Sequence, residues 1–210
     1  MGTLSDSIAK RYDSLSQADC CLSCGGALSL AQIRPGDVCV DLGCGKGHDV
    51  LRMATLAGSK GFAYGVDIST GMMDTARQNA KKPNLENVDF IYSELEDIRL
   101  EDNLADVVIS NCTINHSLEQ AKVWKEVGRI LKKGGYFVVS DIYAIKPVPE
   151  HYRNNPEMVA ECWAGAVVKE KYVKNLIEAG FEQLEILEES EPYKKGKIEV
   201  ASFTIKGIKK

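Results

Sequence analysis

Short apolar runs alternate with amphipathic segments along most of the chain. The first run, Val38–Val40, is partly β-branched, which is typical of a strand buried on both faces of a parallel sheet. After a turn, apolar residues follow at helical spacing and the pattern ends at Gly58: Val50, Leu51, Ala54 and Ala57. This succession of strand, turn and helix predicts the first unit of a doubly wound α/β sheet.

Further apolar runs predict strands, and several of them lead into polar residues. The runs are Phe62–Val66, Val88–Tyr92, Ala105–Ser110 and Tyr136–Ser140. Because the carboxyl ends of parallel strands meet at one edge of a sheet, these polar residues are expected to face one cleft. The pattern therefore predicts five β–α units in series. The spacing of Ser117 and Gln120 also predicts a capping box at the start of the helix after the fourth strand.

The chain changes character after Asp141. Residues 144–156 contain three prolines, which favours an excursion over the cleft rather than another crossover helix. A helix is predicted over Lys169–Ala179, where apolar residues recur at helical spacing before a glycine. Alternating apolar residues then predict two strands, at Gln183–Leu187 and at Ile198–Ile205.

The composition is that of a soluble globular domain. The 210 residues are 44% hydrophobic and 27% charged, so a single domain with a full core is expected. The formal net charge of −4 argues against a nucleic-acid groove, and no apolar run approaches the roughly 20 residues of a membrane helix. The N-terminal residues lack the apolar core of a signal peptide, and seven cysteines without an export signal favour the reducing cytoplasm.

Three cysteines cluster ahead of a pair of glycines, at Cys20, Cys21 and Cys24. One interpretation is half of a structural zinc site, although such a site needs four ligands. A second is that these are incidental small residues of a loop. A third is a flexible loop whose thiolates capture a soft ion or form a redox disulfide. The residues themselves leave all three open.

The turn after the first strand contains Gly43, Gly45 and Gly47, and Asp41 precedes it by two residues. Glycine lets the backbone turn sharply and lets a ligand approach closely. A dinucleotide-binding turn has the spacing GxGxxG, with its acid about 20 residues later. The spacing GxGxG with an acid in front instead resembles motif I of the class I S-adenosylmethionine methyltransferases, where Asp41 would attract the ammonium group of the cofactor. A glycine-rich turn that binds nothing is the alternative.

Further candidate cofactor contacts follow the next strands. Asp67 ends the second predicted strand, where an acid is placed to accept hydrogen bonds from ribose hydroxyls. Glu94 and Leu95 follow the third strand, where an adenine ring is expected. A carboxylate or backbone amide there can bond the edge of the base while Leu95 packs on its face. Met72, at the start of a helix, is either a core residue or a cofactor contact.

Segments spread from Cys24 to Gly180 together resemble the arsenite S-adenosylmethionine methyltransferases. The matching segments are SCGGAL, DLGCGKGHDV, GVDIS, VISNCTIN, GRILKKGGYFVVSDIYA and AECWAGAV. The resemblance implies the class I methyltransferase fold: an α/β, Rossmann-like, seven-stranded, mostly parallel sheet with helices on both faces and a C-terminal antiparallel hairpin. It also implies a cysteine-containing cap segment at 1–34 and a methyltransferase domain at 35–210, with 144–168 as the substrate-site excursion.

The resemblance also implies roles for single residues. Cys162 matches a cysteine that binds trivalent arsenic, and Cys24 matches the cysteine of an N-terminal loop that closes near the cofactor methyl group. Cys20 or Cys21 stands for the redox partner of that loop cysteine, so all four cysteines are candidate arsenic ligands. The implied S-adenosylmethionine site consists of Asp41, Gly43, Gly45, Gly47, Asp67, Ile68, Met72, Glu94, Leu95 and Asn111.

The implied activity is methyl transfer from S-adenosylmethionine to thiol-bound trivalent arsenic. Trivalent arsenic is soft, so thiolates replace its oxygen ligands. It keeps a lone pair that can attack a methyl group without loss of a proton, and catalysis is then mainly placement. Arsenite or a thiol-conjugated arsenic is the expected substrate, and a thiol reductant such as glutathione or thioredoxin is the expected partner.

Two positions depart from the family pattern. Residues 195–201 contain no cysteine where the family has a third arsenic ligand, and Gly196 stands at the aligned position. An N-terminal cysteine is a candidate replacement ligand. His116 stands where the family has an apolar residue, and we expect a surface histidine at a helix entry. Two other functions stay open: a methyltransferase for an organic O, N, S or C nucleophile with His116 as general base, and a non-catalytic metalloid- or redox-sensing module.

Overall fold

The computed structural model describes residues 3–16, 25–81 and 85–210, and within these ranges the chain folds around one mixed β-sheet. The strands are β1 (Val38–Leu42), β2 (Phe62–Asp67), β3 (Val88–Tyr92), β4 (Ala105–Asn111), β5 (Leu131–Ala144), β6 (Phe181–Glu189), β7 (Tyr193–Lys195) and β8 (Ile198–Lys209). The α-helices are α1 (Leu4–Leu15), α2 (Ala27–Leu30), α3 (His48–Ala57), α4 (Thr70–Lys81), α5 (Gln120–Ile130), α6 (Glu150–Arg153), α7 (Pro156–Val159) and α8 (Lys169–Glu178).

The strand order is β3-β2-β1-β4-β5-β8-β6, and the short β7 pairs with β8 beside this path. Strands β1 to β5 pair in parallel, whereas β8 is antiparallel to both β5 and β6. This confirms the predicted mostly parallel sheet of seven strands with a C-terminal antiparallel pair. The order reverses between β1 and β4, so the carboxyl ends of these two strands flank the crevice where open α/β sheets bind ligands.

Apolar side chains alternate between two cores, one on each face of the sheet. On one face, α3 and α4 cover Cys39 of β1 and Val107 of β4. On the other face, α5 and α8 cover the residues of these strands that alternate with Cys39 and Val107. Trp124 is fully buried there against the rings of Phe137 and Tyr172. The two faces explain why the strands are continuous apolar runs rather than alternating ones.

Three expectations about local structure were wrong. Residues 93–104, between β3 and β4, contain no helix, so the third β–α unit lacks its helical half. Strand β5 is longer than expected: it begins at Leu131, ahead of a register shift in its pairing with β4, and its pairing with β8 continues to Ala144. Helix α5 begins after Glu119 without a side-chain cap, since the Gln120 amide bonds elsewhere, to Asn115 and Gly165.

Residues 144–168 form a separate layer beyond the carboxyl end of β5. This segment holds α6, α7 and a short 3-10 turn at Trp163–Gly165, and it surrounds a small apolar cluster that includes Val159 and Cys162. Helix α1 packs against both α7 and the start of α4. The excursion and α1 therefore lie at the edge of the sheet where the site residues are expected.

Candidate active site

The turn between β1 and α3 needs glycine at all three predicted positions. Gly43, Gly45 and Gly47 have φ values of 71°, 52° and 77°, in the left-handed region that glycine adopts at little cost. A Cβ atom on Gly43 would come within 2.2 Å of the Thr113 side chain. A Cβ atom on Gly45 would meet nothing within 4 Å. The turn is therefore closed at Gly43 but open above Gly45.

Asp41 is a buried carboxyl group at the carboxyl end of β1, with 4% of its surface exposed. Burial raises its pKa well above the usual value, and the neighbouring carboxylates of Asp49 and Asp67 raise it further. Among the described residues, neither a cation nor a hydrogen-bond donor offsets these effects. Since a buried anion is costly without a cation, the position suits the positively charged end of a ligand.

Asp67 is held by the protein's own backbone at the end of β2. Its Oδ2 atom accepts a hydrogen bond from the Gly45 amide at 2.8 Å, and Oδ1 accepts one from the Ser69 amide at 2.8 Å. These bonds lower the pKa of Asp67, but the effect of burial is larger and the pKa is raised overall. The bond to Gly45 connects the turn after β1 with the end of β2, the two places where cofactor contacts are predicted.

Asn111 connects the same turn to the N-terminal part of the chain. Its amide nitrogen donates to Asp49 Oδ2 at 3.2 Å, and its amide oxygen accepts from the Ala27 backbone at 3.1 Å. Gly25 also packs here, since a Cβ atom on it would lie 2.5 Å from Asn111 Oδ1. Asn111 thus lies at the crevice, as its position at the end of β4 predicts.

The other predicted cofactor residues occupy the β2–α4 and β3–β4 connections. Met72 is fully buried in the first turn of α4, and Ile68 is half-buried just before that helix. Leu95 packs against the core, whereas Glu94 is exposed and lines a cavity of about 170 Å³. Their contacts with a cofactor stay predictions.

Cys162 lies at the same edge of the sheet, in the excursion. Its side chain is 5% exposed, and its Sγ atom is 3.3 Å from the Cys112 carbonyl oxygen, directly after β4. The Sγ atom is also 4.0 Å from Oδ1 of Asp141, the β5 residue next to the one that pairs with the end of β4. Its φ of 75° is uncommon for a residue with a side chain. Cys162, the predicted arsenic ligand, therefore lies beside the carboxyl end of β4 and the adjoining part of β5.

A cavity of about 560 Å³ opens next to these strand ends. It is lined among others by Gly26, Cys112, Asp141, Lys195 and Thr204. The candidate residues Cys20, Cys21 and Cys24 lie outside the described residues. Within the described ranges, no three His, Cys, Asp or Glu side chains are grouped so that they would hold a metal ion. Whether the loop cysteines join Cys162 stays a prediction.

Gly196, at the aligned position of the missing cysteine, is close to the acceptor residue. It has a φ of 59°, and a Cβ atom on it would lie 2.3 Å from the Trp163 indole ring, next to Cys162 in sequence. A cysteine at this position would collide with Trp163. The indole instead donates from Nε1 to Glu161 at 2.8 Å. The bulk of Trp163 thus explains why position 196 carries a glycine.

His116 is buried, with 6% of its surface exposed, so the expectation of a surface histidine was wrong. Its Nδ1 atom donates to the Val159 carbonyl at 3.2 Å, and its Nε2 atom accepts from the Tyr12 hydroxyl at 2.9 Å. Burial lowers its pKa to about 4. Because both ring nitrogens already have partners, the role of general base is not favoured.

Several residues of the site escaped the sequence analysis. Asp141 is buried, its Oδ2 atom has no hydrogen-bond partner among the residues that the structure describes, and burial raises its pKa to about 7. Asn115 donates to Asp141 Oδ1 at 2.7 Å and to the Ile142 carbonyl at 2.7 Å. Tyr12 joins the site across 104 positions of sequence. The position of Asp141 directly after the predicted strand Tyr136–Ser140 was the signal available for it; the partners of Asn115 and Tyr12 depend on long-range packing.

A model of the methyltransferase domain family matches residues 33–195, which include every strand from β1 to β7. This chain belongs to the methyltransferase domain family. Its sheet is the class I S-adenosylmethionine methyltransferase fold, as the resemblance implied. Among the described residues of this methyltransferase domain, none of the helices has the length and apolar character needed to cross a membrane.

The methyltransferase domain is similar to curated arsenite methyltransferases. It is 35% identical to that of Halobacterium salinarum over 191 residues, covering 91% of this chain and 48% of the relative. It is 34% identical to that of Aquipseudomonas alcaligenes over 135 residues, covering 61% of this chain and 39% of the relative. The chain thus spans about half or less of the length of these relatives.

Solved structures give the same picture. An arsenic(III) S-adenosylmethionine methyltransferase from Chlamydomonas reinhardtii has a TM-score of 0.76 and 29% identity, covering 94% of this chain and 73% of that chain. A phosphoethanolamine N-methyltransferase from Haemonchus contortus has a TM-score of 0.77 and 16% identity, covering 100% of this chain and 60% of that chain. The second likeness shows the fold alone.

Proposed function

We propose that this chain transfers a methyl group from S-adenosylmethionine to thiol-bound trivalent arsenic. The observation that carries the proposal is the position of Cys162, whose Sγ atom lies 3.3 Å from the Cys112 carbonyl at the end of β4. Asn111, the residue before Cys112, bonds to Asp49 in the helix after the glycine turn. A soft ligand for arsenic and the candidate cofactor turn therefore share one edge of the sheet. The similarity to arsenite methyltransferases supports the same conclusion.

The residues at the glycine turn fit S-adenosylmethionine. Asp41 is a buried carboxyl without a cationic partner among the described residues, and the ammonium of the cofactor would supply one. Gly45 leaves open space where a side chain would stand, so the ligand can approach the backbone closely. When bound, S-adenosylmethionine supplies an electrophilic methyl group on a sulfonium.

The acceptor residues would hold arsenic rather than remove a proton. The Cys162 thiol replaces one oxygen or thiol ligand of trivalent arsenic, and its proton leaves with that ligand as water or free thiol. Arsenic keeps its lone pair, so no general base is needed at the methyl-transfer step. This agrees with the hydrogen bonds that already engage both ring nitrogens of His116. The protein then contributes placement and exclusion of water.

Additional arsenic ligands are proposed from the cysteine loop. Cys24 is followed directly by Gly25, and a Cβ atom on Gly25 would lie 2.5 Å from Ser140 Cβ at the end of β5. This close packing supports the proposal that Cys24, with Cys20 or Cys21, joins Cys162. We further propose a cytoplasmic setting. Methylation through its lone pair would leave arsenic pentavalent, and two loop thiols would return it to the trivalent state by giving up two electrons and forming a disulfide. A thiol reductant such as glutathione or thioredoxin would then return that disulfide to thiols. The cap segment at 1–34 would then supply ligands to the domain at 35–210.

The test compares Cys162→Ser with the wild type in a reaction with S-adenosylmethionine, arsenite and glutathione. We expect the variant to keep its affinity for S-adenosylmethionine and to lose arsenite methylation, because a hydroxyl binds soft arsenic poorly. Cys39→Ser is the matched control, since it makes the same change at a thiol fully buried in β1. Products are identified by mass spectrometry at a temperature where all three proteins are folded. Full activity in Cys162→Ser would refute the proposal.

A further inference from the structure

The Cys162 backbone depends on a carbonyl group that His116 also binds. The Val159 carbonyl accepts a hydrogen bond from the Cys162 amide at 2.8 Å and another from His116 Nδ1 at 3.2 Å. Cys162 has a φ of 75°, a conformation that costs free energy in a residue with a side chain. The conformation persists only where its surroundings hold it, and His116 is one of those surroundings.

His116 itself stands on a rigid support. It ends a short 3-10 turn at Ile114–His116, and the preceding Asn115 donates to Asp141 and to the Ile142 carbonyl on β5. A Cβ atom on Gly165 would lie only 1.9 Å from the Asn115 carbonyl oxygen. The 3-10 turn at Ile114–His116 is therefore packed backbone against backbone with the 3-10 turn at Trp163–Gly165, which directly follows Cys162. A group fixed on this support can fix Cys162 in turn.

The second ring nitrogen of His116 connects this support to helix α1. Nε2 accepts a hydrogen bond from the Tyr12 hydroxyl at 2.9 Å, and the two rings meet edge-on. The next residue, Asp13, accepts from Ser69 Oγ at 2.6 Å and from the Gly71 amide at 2.9 Å, at the start of α4. Helix α1 is thus bonded through Asp13 to the start of α4, near the candidate cofactor residues. Through the neighbouring Tyr12 it is bonded to His116, near Cys162.

We propose that His116 is a positioning residue for the acceptor: it holds the segment Val159–Cys162 against α1, so that the Cys162 sulfur stays at the carboxyl end of β4. The inference rests on the proposed function and assigns to His116 neither contact with substrate nor transfer of a proton. The inference also requires that the side chain at position 116 donate a hydrogen bond to Val159 and accept one from Tyr12. An apolar side chain supplies neither.

The experiment uses three variants of the full chain. His116→Leu removes both hydrogen bonds while it keeps a similar volume. His116→Asn keeps a donor near the place of Nδ1 and is the conservative rescue. Val127→Ala makes an apolar cavity in the core beneath α5, away from the site, and controls for lost stability alone.

The first readout is the dependence of arsenite methylation on each substrate. For His116→Leu we expect the KM for arsenite to rise about tenfold, in line with the loss of the buried hydrogen bond to Val159 that supports Cys162, and the KM for S-adenosylmethionine to stay within about twofold. We expect His116→Asn to recover most of the affinity for arsenite. A general loss of stability, as in Val127→Ala, would not separate the two KM values. Suppose that Cys162→Ser abolishes activity, as the proposed function requires. An unchanged KM for arsenite in His116→Leu would then overturn the inference.

The second readout does not depend on activity. Alkylation of Cys162 by iodoacetamide is followed by mass spectrometry, with Cys39 as the internal reference for a buried thiol. Because Cys162 is 5% exposed in the folded chain, we expect it to react slowly, and about tenfold faster in His116→Leu once the segment is released. If the wild type does not methylate arsenite, the proposed function fails, and these rates alone decide whether His116 positions Cys162. Equal rates in wild type and His116→Leu would then refute it.

Discussion

Replacing Gly45 by alanine separates cofactor binding from folding at the glycine turn. The φ of Gly45 is 52°, within the left-handed region, and an added Cβ atom would meet no atom of the described residues within 4 Å. In the ligand-free protein the methyl group therefore collides with none of these residues. Its position, however, is the open space that we assign to S-adenosylmethionine.

The expected magnitudes follow from that geometry. An L-residue in the left-handed conformation costs about 1 kcal/mol, and no clash adds to it at Gly45. A methyl group within the ligand's volume should displace the cofactor from at least one hydrogen bond to a charged group. Such a bond contributes about 1.5 to 3 kcal/mol, which corresponds to a loss of roughly 10- to 100-fold in affinity.

The assay pairs isothermal titration with denaturant unfolding. Gly134→Ala is the control, because Gly134 has a φ of 77°, also has open space around it, and lies near the start of β5, away from the carboxyl ends of the strands. Both variants should lose similar unfolding free energy, and only Gly45→Ala should lose affinity for S-adenosylmethionine. An affinity within twofold of the wild type in Gly45→Ala would refute the assignment of this space to the cofactor.

Two further predictions concern stability. Burial raises the pKa of Asp141 to about 7, so the folded chain keeps a proton that the unfolded chain has released, and stability falls as pH rises from about 4 to about 7, by at most about 1.4 kcal/mol per pH unit. Asp141→Asn should remove this slope in urea unfolding measured across that range, and a slope identical to that of the wild type would contradict the pKa. Arg129 donates to the Ile98 and Leu100 carbonyls at 2.6 and 2.7 Å; Arg129→Lys cannot form this fork and should cost about 1 to 2 kcal/mol of unfolding free energy, and a loss below about 0.5 kcal/mol would count against it.

Local patterns predicted the elements that build the sheet. The β-branched runs and their polar ends located β1 to β5 to within a few residues, apart from the extended β5, because both signals are contained in short stretches of chain. The helix expected between β3 and β4 is missing because those residues instead form a compact turn around Ser93, whose hydroxyl bonds to the Asp97 carbonyl and to the Arg99 amide. The three-residue strand β7 exists only through its pairing with β8.

In the candidate site, too, features set by a short stretch of chain were predicted and features set by distant contacts were not. Asp41 and the glycines were predictable because one turn of chain contains the whole signal. The burial of His116 was not, since its partners Tyr12 and Val159 lie 104 and 43 positions away. Nor does the sequence around Cys162 show its positive φ or the close approach of Gly165 to Asn115, which is 50 positions earlier in the chain. Contacts between distant segments, rather than residue types, decide these features.

The place of β8 in the sheet has a consequence for how the protein is made. Strand β8 follows β6 in sequence, yet it lies between β5 and β6 and pairs with both. A ribosome-bound chain therefore carries two unsatisfied strand edges until residues 198–209 have left the exit tunnel. Such edges are templates for association with other chains. We expect nascent chains that have not yet exposed β8 to need chaperone protection, and truncation ahead of Ile198 to yield aggregates rather than a smaller folded domain.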